Sequence, residues 1–142
     1  MPEHKSYLEP FFGSGAVLFT KTLSSIETVN DLNDDVVNLF QVIQQDPETL
    51  IDKLFLTPYS RKIYDNAWEI QPKNEVDKAL NFIIRSLMSH GFRNFEKSGW
   101  KRDVNGRERA YAVKHWNELP ELIQEISLRL KQVQIECRPA FD

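Results

Sequence analysis

A Gly-x-Gly turn near the start of the chain is the stretch with the clearest capacity for ligand chemistry. Gly13-Ser14-Gly15 follows the apolar run SYLEPFF and precedes AVLFTKTL, which has helical spacing. A strand, a glycine turn and a helix in that order bring backbone N–H groups close to a ligand, because glycine has no side chain to hold the ligand away. Tight turns that bind nothing have the same pattern, so the turn alone leaves both interpretations open.

The neighbouring residues narrow the class of ligand. A dinucleotide-binding turn would have a third glycine where this chain has Leu18, and no Gly-Lys-Ser/Thr follows as a P-loop requires. Asp31 lies at the end of the second predicted strand, near the place where a ribose-binding acid follows such a turn, ~20 residues on. A carboxylate there can accept hydrogen bonds from both ribose hydroxyls; it could also cap a helix or lie in a loop. Glu9 borders the turn, and an acid there suits a cationic nucleoside without phosphates. S-adenosylmethionine, which combines adenosine, a sulfonium and an ammonium, meets these requirements.

Apolar periodicity predicts strands and helices that would position these residues. SYLEPFF, IETVND and VQIECR read as strands, and DDVVNLFQVIQQ reads as a helix capped by Asn33 or Asp34. Pro47 can open the next helix, ETLIDKLFL. Strands and helices that alternate at this spacing imply a βαβ unit with a parallel sheet. One stripe of the first of these two helices is apolar, formed by Val36, Val37, Phe40 and Ile43.

The second half of the chain is predicted to be more helical. PYSRKIYDNAWEI and NEVDKALNFIIRSLMSH read as helices, the second stopped by Gly91. The following stretch lacks sustained periodicity, and we expect loops with a hairpin around Asn105-Gly106. PELIQEISLRLKQ predicts an amphipathic helix with Pro120 in its first turn. Three further residues are predicted to lie in the core: Trp68, Trp116 and Cys137.

Charge is unevenly distributed along the chain. Acids outnumber bases from Glu27 to Lys78, and the sign reverses from Arg85 to Lys114, where aromatic residues are interleaved with the cations. Such a mixture suits phosphate contacts and base stacking, although a solvated loop with core aromatics has the same composition. The preferred phosphate contacts are Arg93, Lys97, Lys101 and Arg102.

The bulk composition narrows the functional classes. The 142 residues are enough for one domain, and no apolar run approaches the ~20 residues that span a bilayer. No signal peptide is recognisable, and a single cysteine excludes an internal disulfide, so we expect a cytoplasmic setting without a membrane partner. The three histidines show no metal-ligand spacing with Cys137, and Ser14 has no visible base partner for hydrolase chemistry.

The motifs resemble a known family. YLEPFFGSGAVLFTK resembles the cofactor-binding motif of the Dam-type, D12 class adenine-N6 DNA methyltransferases, and VNDLNDDVVNLFQVIQ is similar to their next motif, whose Asp binds the cofactor ribose. NFIIRSLMSHGFRNF and VQIECRPAF fit the middle and third-strand segments, so nearly the whole chain is covered. The resemblance implies that S-adenosylmethionine contacts Glu9, Pro10, Phe11, Phe12, Gly13, Ser14, Gly15, Asp31, Glu136 and Cys137, with Arg138 also near the adenine.

The resemblance also implies a fold and a division of the chain. We expect an α/β protein with an incomplete Rossmann-like methyltransferase sheet and a mainly helical, basic insertion. Residues 1–56 would form the cofactor-binding part, and residues 57–118 the insertion that recognises target DNA. Residues 119–142 would supply the helix and strand that return to the sheet.

Two motifs of the family have no counterpart in this sequence. Neither PGGK nor the catalytic DPPY occurs, so the chain reads as an internal piece for which no catalytic residue can be named. The expected parent activity is methyl transfer to adenine N6 in duplex DNA, with this piece inactive alone unless a complementary chain supplies DPPY; an open sheet would favour self-association. The alternatives are a non-enzymatic remnant or binding module, and a Rossmann protein for another adenosine ligand.

Overall fold

The computed structural model describes residues 6–9, as backbone, together with residues 26–90, 96–102 and 112–139. These ranges contain three strands and five helices. The strands are β1 Ser6–Glu9, β2 Ile26–Asn30 and β3 Val133–Glu136. The helices are α1 Asp34–Gln45, α2 Pro47–Phe55, α3 Arg61–Glu69, α4 Glu75–Met88 and α5 Ala112–Leu130.

The strands form a parallel sheet in the order β1-β2-β3. Glu9 pairs with Val29 on one side of the central strand, and Asn30 pairs with Glu136 on the other. Because parallel strands all run in the same direction, their last residues lie along one edge. We call this the carboxyl edge: Glu9, Asn30, Asp31 and residues 136–138. The fold is therefore a mixed α/β arrangement with the predicted parallel sheet.

One face of β2 lies against the hydrophobic core. Val29 is fully buried and belongs to a cluster with Phe40 and Ile43 of α1, Leu130 of α5 and Val133 of β3. These contacts hold the sheet against α1 and α5. Burial of such side chains contributes roughly 1.5–3 kcal/mol each to the free energy of folding.

A buried ion pair lies on the same face of β2. Both carboxylate oxygens of Glu27 accept hydrogen bonds from the Arg129 guanidinium, at 2.6 and 3.0 Å, and the Glu27 side chain has no solvent exposure. Alternation along a strand puts Glu27 on the face of Val29. Glu27 belongs to the acidic stretch of the sequence, but in the structure it is a core residue that joins β2 to α5.

The predicted starts of α1 and α2 are confirmed. Asn33 caps α1, with its side chain accepting a hydrogen bond from Asp35 N at 2.9 Å, and Pro47 opens α2 behind the capping residue Asp46. Val37, Phe40 and Ile43 of the predicted stripe are buried. These signals are local, so the sequence was sufficient to place both helices.

The predicted end of α4 is wrong by two residues. The helix ends at Met88, and Ser89 is extended, with φ −89° and ψ 151°, because it forms an antiparallel bridge to Trp100. Gly91, the predicted AVLFTKTL helix and the hairpin around Asn105-Gly106 lie outside the described residues.

Two other predictions are corrected around α5 and β3. Helix α5 begins at Ala112, so Pro120 lies inside the helix, where it cannot donate the usual bond to the carbonyl four residues earlier. Packing of the buried Trp116, whose Nε1 donates to Thr57 O at 2.8 Å, extends the helix ahead of the proline. Cys137 is exposed rather than buried, because β3 ends one residue before it. No helix in the described ranges is long and apolar enough to cross a bilayer.

Candidate functional site

Asp31 lies at the carboxyl edge of the sheet, directly after β2. Its backbone N–H donates to the carbonyl of Glu136 at 3.3 Å, which continues the β2–β3 pairing by one residue. Its Oδ1 accepts a hydrogen bond from Asn33 N at 2.9 Å. The resulting turn leads directly into the cap of α1 and fixes where the half-buried carboxylate lies. A carboxylate has about four lone-pair sites, so it can accept several hydrogen bonds at once.

Asn30 joins the ends of β2 and β3 through its side chain. Its Nδ2 donates to Arg138 O at 2.8 Å, and its Oδ1 accepts from Arg138 N at 3.1 Å. The residue is only 6% exposed. Sequence reasoning missed Asn30, although an amide in a predicted strand, directly before a candidate ligand-binding acid, is a recognisable signal. If such a side chain is buried, it needs hydrogen-bond partners within the protein.

The residues that follow β3 border the same edge. Glu136 and Cys137 are exposed, and Cys137 Sγ lies 3.9 Å from the carbonyl oxygen of Leu32. Leu32 itself is 67% exposed beside Asp31. The structure thus brings Asp31, Glu136 and Cys137 to one edge, together with the backbone of Glu9. The remaining predicted cofactor residues, 10–15, lie outside the described ranges.

Three of the predicted phosphate contacts, Lys97, Lys101 and Arg102, lie in a second region, residues 96–102, which we call the 96–102 segment. Tyr64 of α3 donates its hydroxyl hydrogen to Ser98 O at 2.8 Å and accepts from Ser98 N at 3.2 Å. Trp100 forms the bridge to Ser89, and His90 N donates to Gly99 O at 3.0 Å. The segment is therefore attached to α3 and to the end of α4.

The predicted phosphate contacts differ in their surroundings. Lys97 forms an ion pair with Asp65 of α3 at 3.0 Å, and the hydrogen bond and negative charge of Asp65 raise the pKa of Lys97 above its ordinary value. Lys101 is held through its backbone, since its N–H donates to Met88 O at 2.7 Å and its carbonyl accepts from the Tyr59 hydroxyl. Arg102 is exposed, and Arg93 lies outside the described residues.

The parallel sheet and the acid at its carboxyl edge define a class of protein. Ligands of open α/β sheets bind in the crevice outside the carboxyl ends of the strands, and here that edge carries a half-buried acid and exposed backbone. Within the described ranges no three His, Cys, Asp or Glu residues come together to hold a metal ion. The arrangement is that of an α/β protein whose acid is suited to accepting hydroxyl hydrogen bonds.

Comparison with known proteins identifies the family. The sequence model of the D12 class N6 adenine-specific DNA methyltransferases matches residues 1–141. The chain belongs to this family.

Two relatives show how much of a family member the chain represents. It is 39% identical over 111 residues to the DNA N-6-adenine-methyltransferase of Escherichia phage P1, covering 74% of this chain and 14% of the relative. It is 28% identical over 152 residues to the type II methyltransferase M.MjaIII of Methanocaldococcus jannaschii, covering 94% of this chain and 51% of the relative. The chain therefore spans about half of one relative's length and about a seventh of the other's.

Proposed function

We propose that this chain forms the cofactor-binding and DNA-binding part of an S-adenosylmethionine-dependent DNA adenine-N6 methyltransferase. One observation carries the proposal: Asp31 lies at the carboxyl edge of the parallel sheet, hydrogen-bonded to the residue that ends the neighbouring strand. Family membership makes methyl transfer to adenine the expected chemistry. The sheet would be the first three strands of a Rossmann-like methyltransferase sheet.

The described residues fit an adenosine. Asp31 would accept hydrogen bonds from the ribose hydroxyls, since its carboxylate is half-buried and held by the turn to Asn33. Residues 136–138 would border the adenine, with Asn30 holding their backbone in place. Glu9 and residues 10–15 would surround the amino-acid end, where an acid suits a cation. Bound S-adenosylmethionine would supply the methyl group, and no residue of this chain is assigned to the transfer itself.

The proposal divides the chain as the motifs predict. Residues 1–56 and 119–142 would build the cofactor part, and residues 57–118 would contact target DNA through Arg93, Lys97, Lys101 and Arg102. Duplex DNA in the cytoplasm would be the substrate. Transfer would require a DPPY segment, which a complementary chain could supply, and self-association through the sheet is part of the same proposal.

Calorimetric titration with S-adenosylmethionine tests the cofactor assignment. Asp31→Ala should weaken binding by about 1.5–3 kcal/mol, the scale of a charge-assisted hydrogen bond. Asp31→Asn is the matched control for the turn, because its amide oxygen can still accept from Asn33 N while the charge is lost. Strong binding by Asp31→Asn and Asp31→Ala alike would return Asp31 to a capping role.

Gly13→Val should also weaken binding of S-adenosylmethionine, because a side chain at the glycine turn would block the close approach of the ligand to the backbone.

A methylation assay separates the enzyme from a binding module. We expect no label to pass from S-adenosylmethionine to adenine-containing duplex DNA with the chain alone. Label should pass when a polypeptide carrying DPPY is added. Cofactor binding without transfer under either condition would favour the non-enzymatic alternative.

A further inference from the structure

The fold brings helix α3 against the 96–102 segment. Besides the Tyr64–Ser98 hydrogen bonds, the Arg61 guanidinium lies 5.4 Å from the centre of the Trp100 ring, and Asp65 binds Lys97. Arg61 and Lys62 lie one helical turn before Asp65, on the neighbouring surface of α3. Cations from two distant stretches of sequence therefore lie close to the contact between α3 and the segment.

Several exposed cations in the described ranges form no ion pair there, and three of them lie on α3 or in the 96–102 segment. Five cations form ion pairs with carboxylates: Lys53, Lys78, Arg85, Lys97 and Arg129. Among the residues that the structure describes, no carboxylate pairs with Arg61, Lys62 or Arg102, and all three are exposed. Their charges are not offset by close partners. Together with Lys97 they form what we call the α3 basic face.

Arg61 is also held in place on this face. Its guanidinium lies over the Trp100 ring in a cation–π contact, and Trp100 contacts the Tyr59 ring at a centroid distance of 5.5 Å. An exposed guanidinium in such a contact can still form two parallel hydrogen bonds to a phosphate. Less side-chain entropy is lost on binding when the cation is already ordered.

We propose that helix α3 is part of the DNA interface, with Arg61 and Lys62 contacting backbone phosphates beside Lys97 and Arg102. The inference rests on the proposed function and extends it to two residues in the acidic half of the sequence. Two separate stretches of cations on one face fit a regularly charged polyanion such as a DNA duplex. These contacts would position the duplex without reading its bases.

Anisotropy titrations of a labelled mixed-sequence duplex across a range of salt test the proposal with the full 142-residue chain. Arg61→Ala and Lys62→Ala should each make the slope of log affinity against log salt shallower by about 0.9, the value for one lost phosphate contact. Arg61→Lys should keep the slope, because the charge remains. Lys131→Ala is the matched control, since Lys131 is an exposed cation in the turn between α5 and β3. Its slope should equal that of the unaltered chain.

The possible outcomes separate this proposal from the one on which it rests. Unaltered slopes for Arg61→Ala and Lys62→Ala, with shallower slopes for Lys97→Ala and Arg102→Ala, would remove α3 from the interface and leave DNA binding intact. Absence of salt-dependent binding by the unaltered chain would overturn both. Tighter binding of duplex RNA of the same sequence would overturn the choice of partner. The cation–π contact with Trp100 is made by Arg61, so Lys62→Ala leaves it in place and tests the face independently of any local unfolding caused by Arg61→Ala.

Discussion

The carboxyl edge and the 96–102 segment position their functional residues in different ways. At the carboxyl edge, strand pairing and the buried Asn30 side chain hold the backbone of residues 136–138 against β2. In the 96–102 segment, side chains from α3 hold a loop, and the cations Lys97 and Arg102 are exposed. The first arrangement is rigid because its connections are buried. In the second, the side chains of Lys97 and Arg102 can adjust because they are exposed.

This difference matches the two kinds of ligand that we propose. An adenosine needs a few polar groups at fixed positions, so a site on strand ends is suitable. A DNA backbone offers many similar phosphates, so exposed cations can find partners without a fixed geometry. Mutations in the two regions should therefore separate stability and cofactor binding from DNA binding.

The largest effect is expected for the buried Glu27–Arg129 ion pair, which lies towards the amino-terminal end of β2, away from the carboxyl edge. Arg129→Ala should lower the free energy of unfolding by about 3–5 kcal/mol, because it removes the guanidinium that binds both oxygens of the buried Glu27 carboxylate. Urea denaturation followed by circular dichroism measures the loss. The double variant Glu27→Leu with Arg129→Met should recover much of it, since no charge then remains buried. A double variant as unstable as Arg129→Ala would assign the loss to packing.

A smaller effect is expected for Asn30→Ala. Removing the amide leaves Arg138 N–H and C=O without their partner at the strand ends, which should cost about 1–3 kcal/mol of stability. S-adenosylmethionine affinity should fall in the same variant. Gln134→Ala is the control, because the Gln134 side chain is exposed and its hydrogen bond to the neighbouring strand lies at the surface. A full cofactor affinity in Asn30→Ala would show that residues 136–138 do not contact the ligand.

Tyr64→Phe tests the attachment of the 96–102 segment. The buried ring stays, but both hydrogen bonds to Ser98 are lost, which should reduce stability by about 0.5–1.5 kcal/mol for each. Because the bonds hold the segment and not the sheet, DNA affinity should fall while S-adenosylmethionine affinity is unchanged. Equal losses in the two titrations would contradict the separation of the two regions.

The smallest effect concerns the exposed ion pair of Lys97. Asp65→Asn should strengthen duplex binding about two- to fivefold at low salt, because it removes the acid that competes with phosphate for Lys97. The carboxylate raises the pKa of Lys97 above its ordinary value of 10.5, so the stability that the pair contributes is present below that pH and is lost as pH rises further. At neutral pH the lysine is charged in both variants. Weaker binding by Asp65→Asn would show that Asp65 positions Lys97 for DNA.

The sequence predicted those parts of the structure that local signals determine. Asn33 and Pro47 mark the starts of two helices through chemistry within a few residues, and both starts are confirmed. Pro120 was misplaced because the contacts of Trp116 with a distant loop outweigh the preference of proline for a first turn. Local preference decides a boundary only where tertiary packing does not oppose it.

The partners of the site residues could not be predicted. Glu27 and Arg129 are 102 positions apart, and Tyr64 and Ser98 are 34 apart, so no local pattern relates them. The sequence therefore identifies Asp31 as an acid that follows a strand, but it does not show that the backbone of Glu136 lies beside Asp31. Their roles toward cofactor and DNA stay predictions until the titrations are made.

The pairing of β2 with β3 has a consequence for the order in which the protein is built. Asn30 and Arg138 are 108 positions apart, and all five described helices lie between them. During synthesis, α1 to α4 leave the ribosome and can pack while β2 still lacks one neighbour. Such long-range contacts slow folding, because a long loop must close before they form. The strand ends proposed to hold the cofactor would thus come together last, so a nascent chain would acquire its ligand only after the helices had packed.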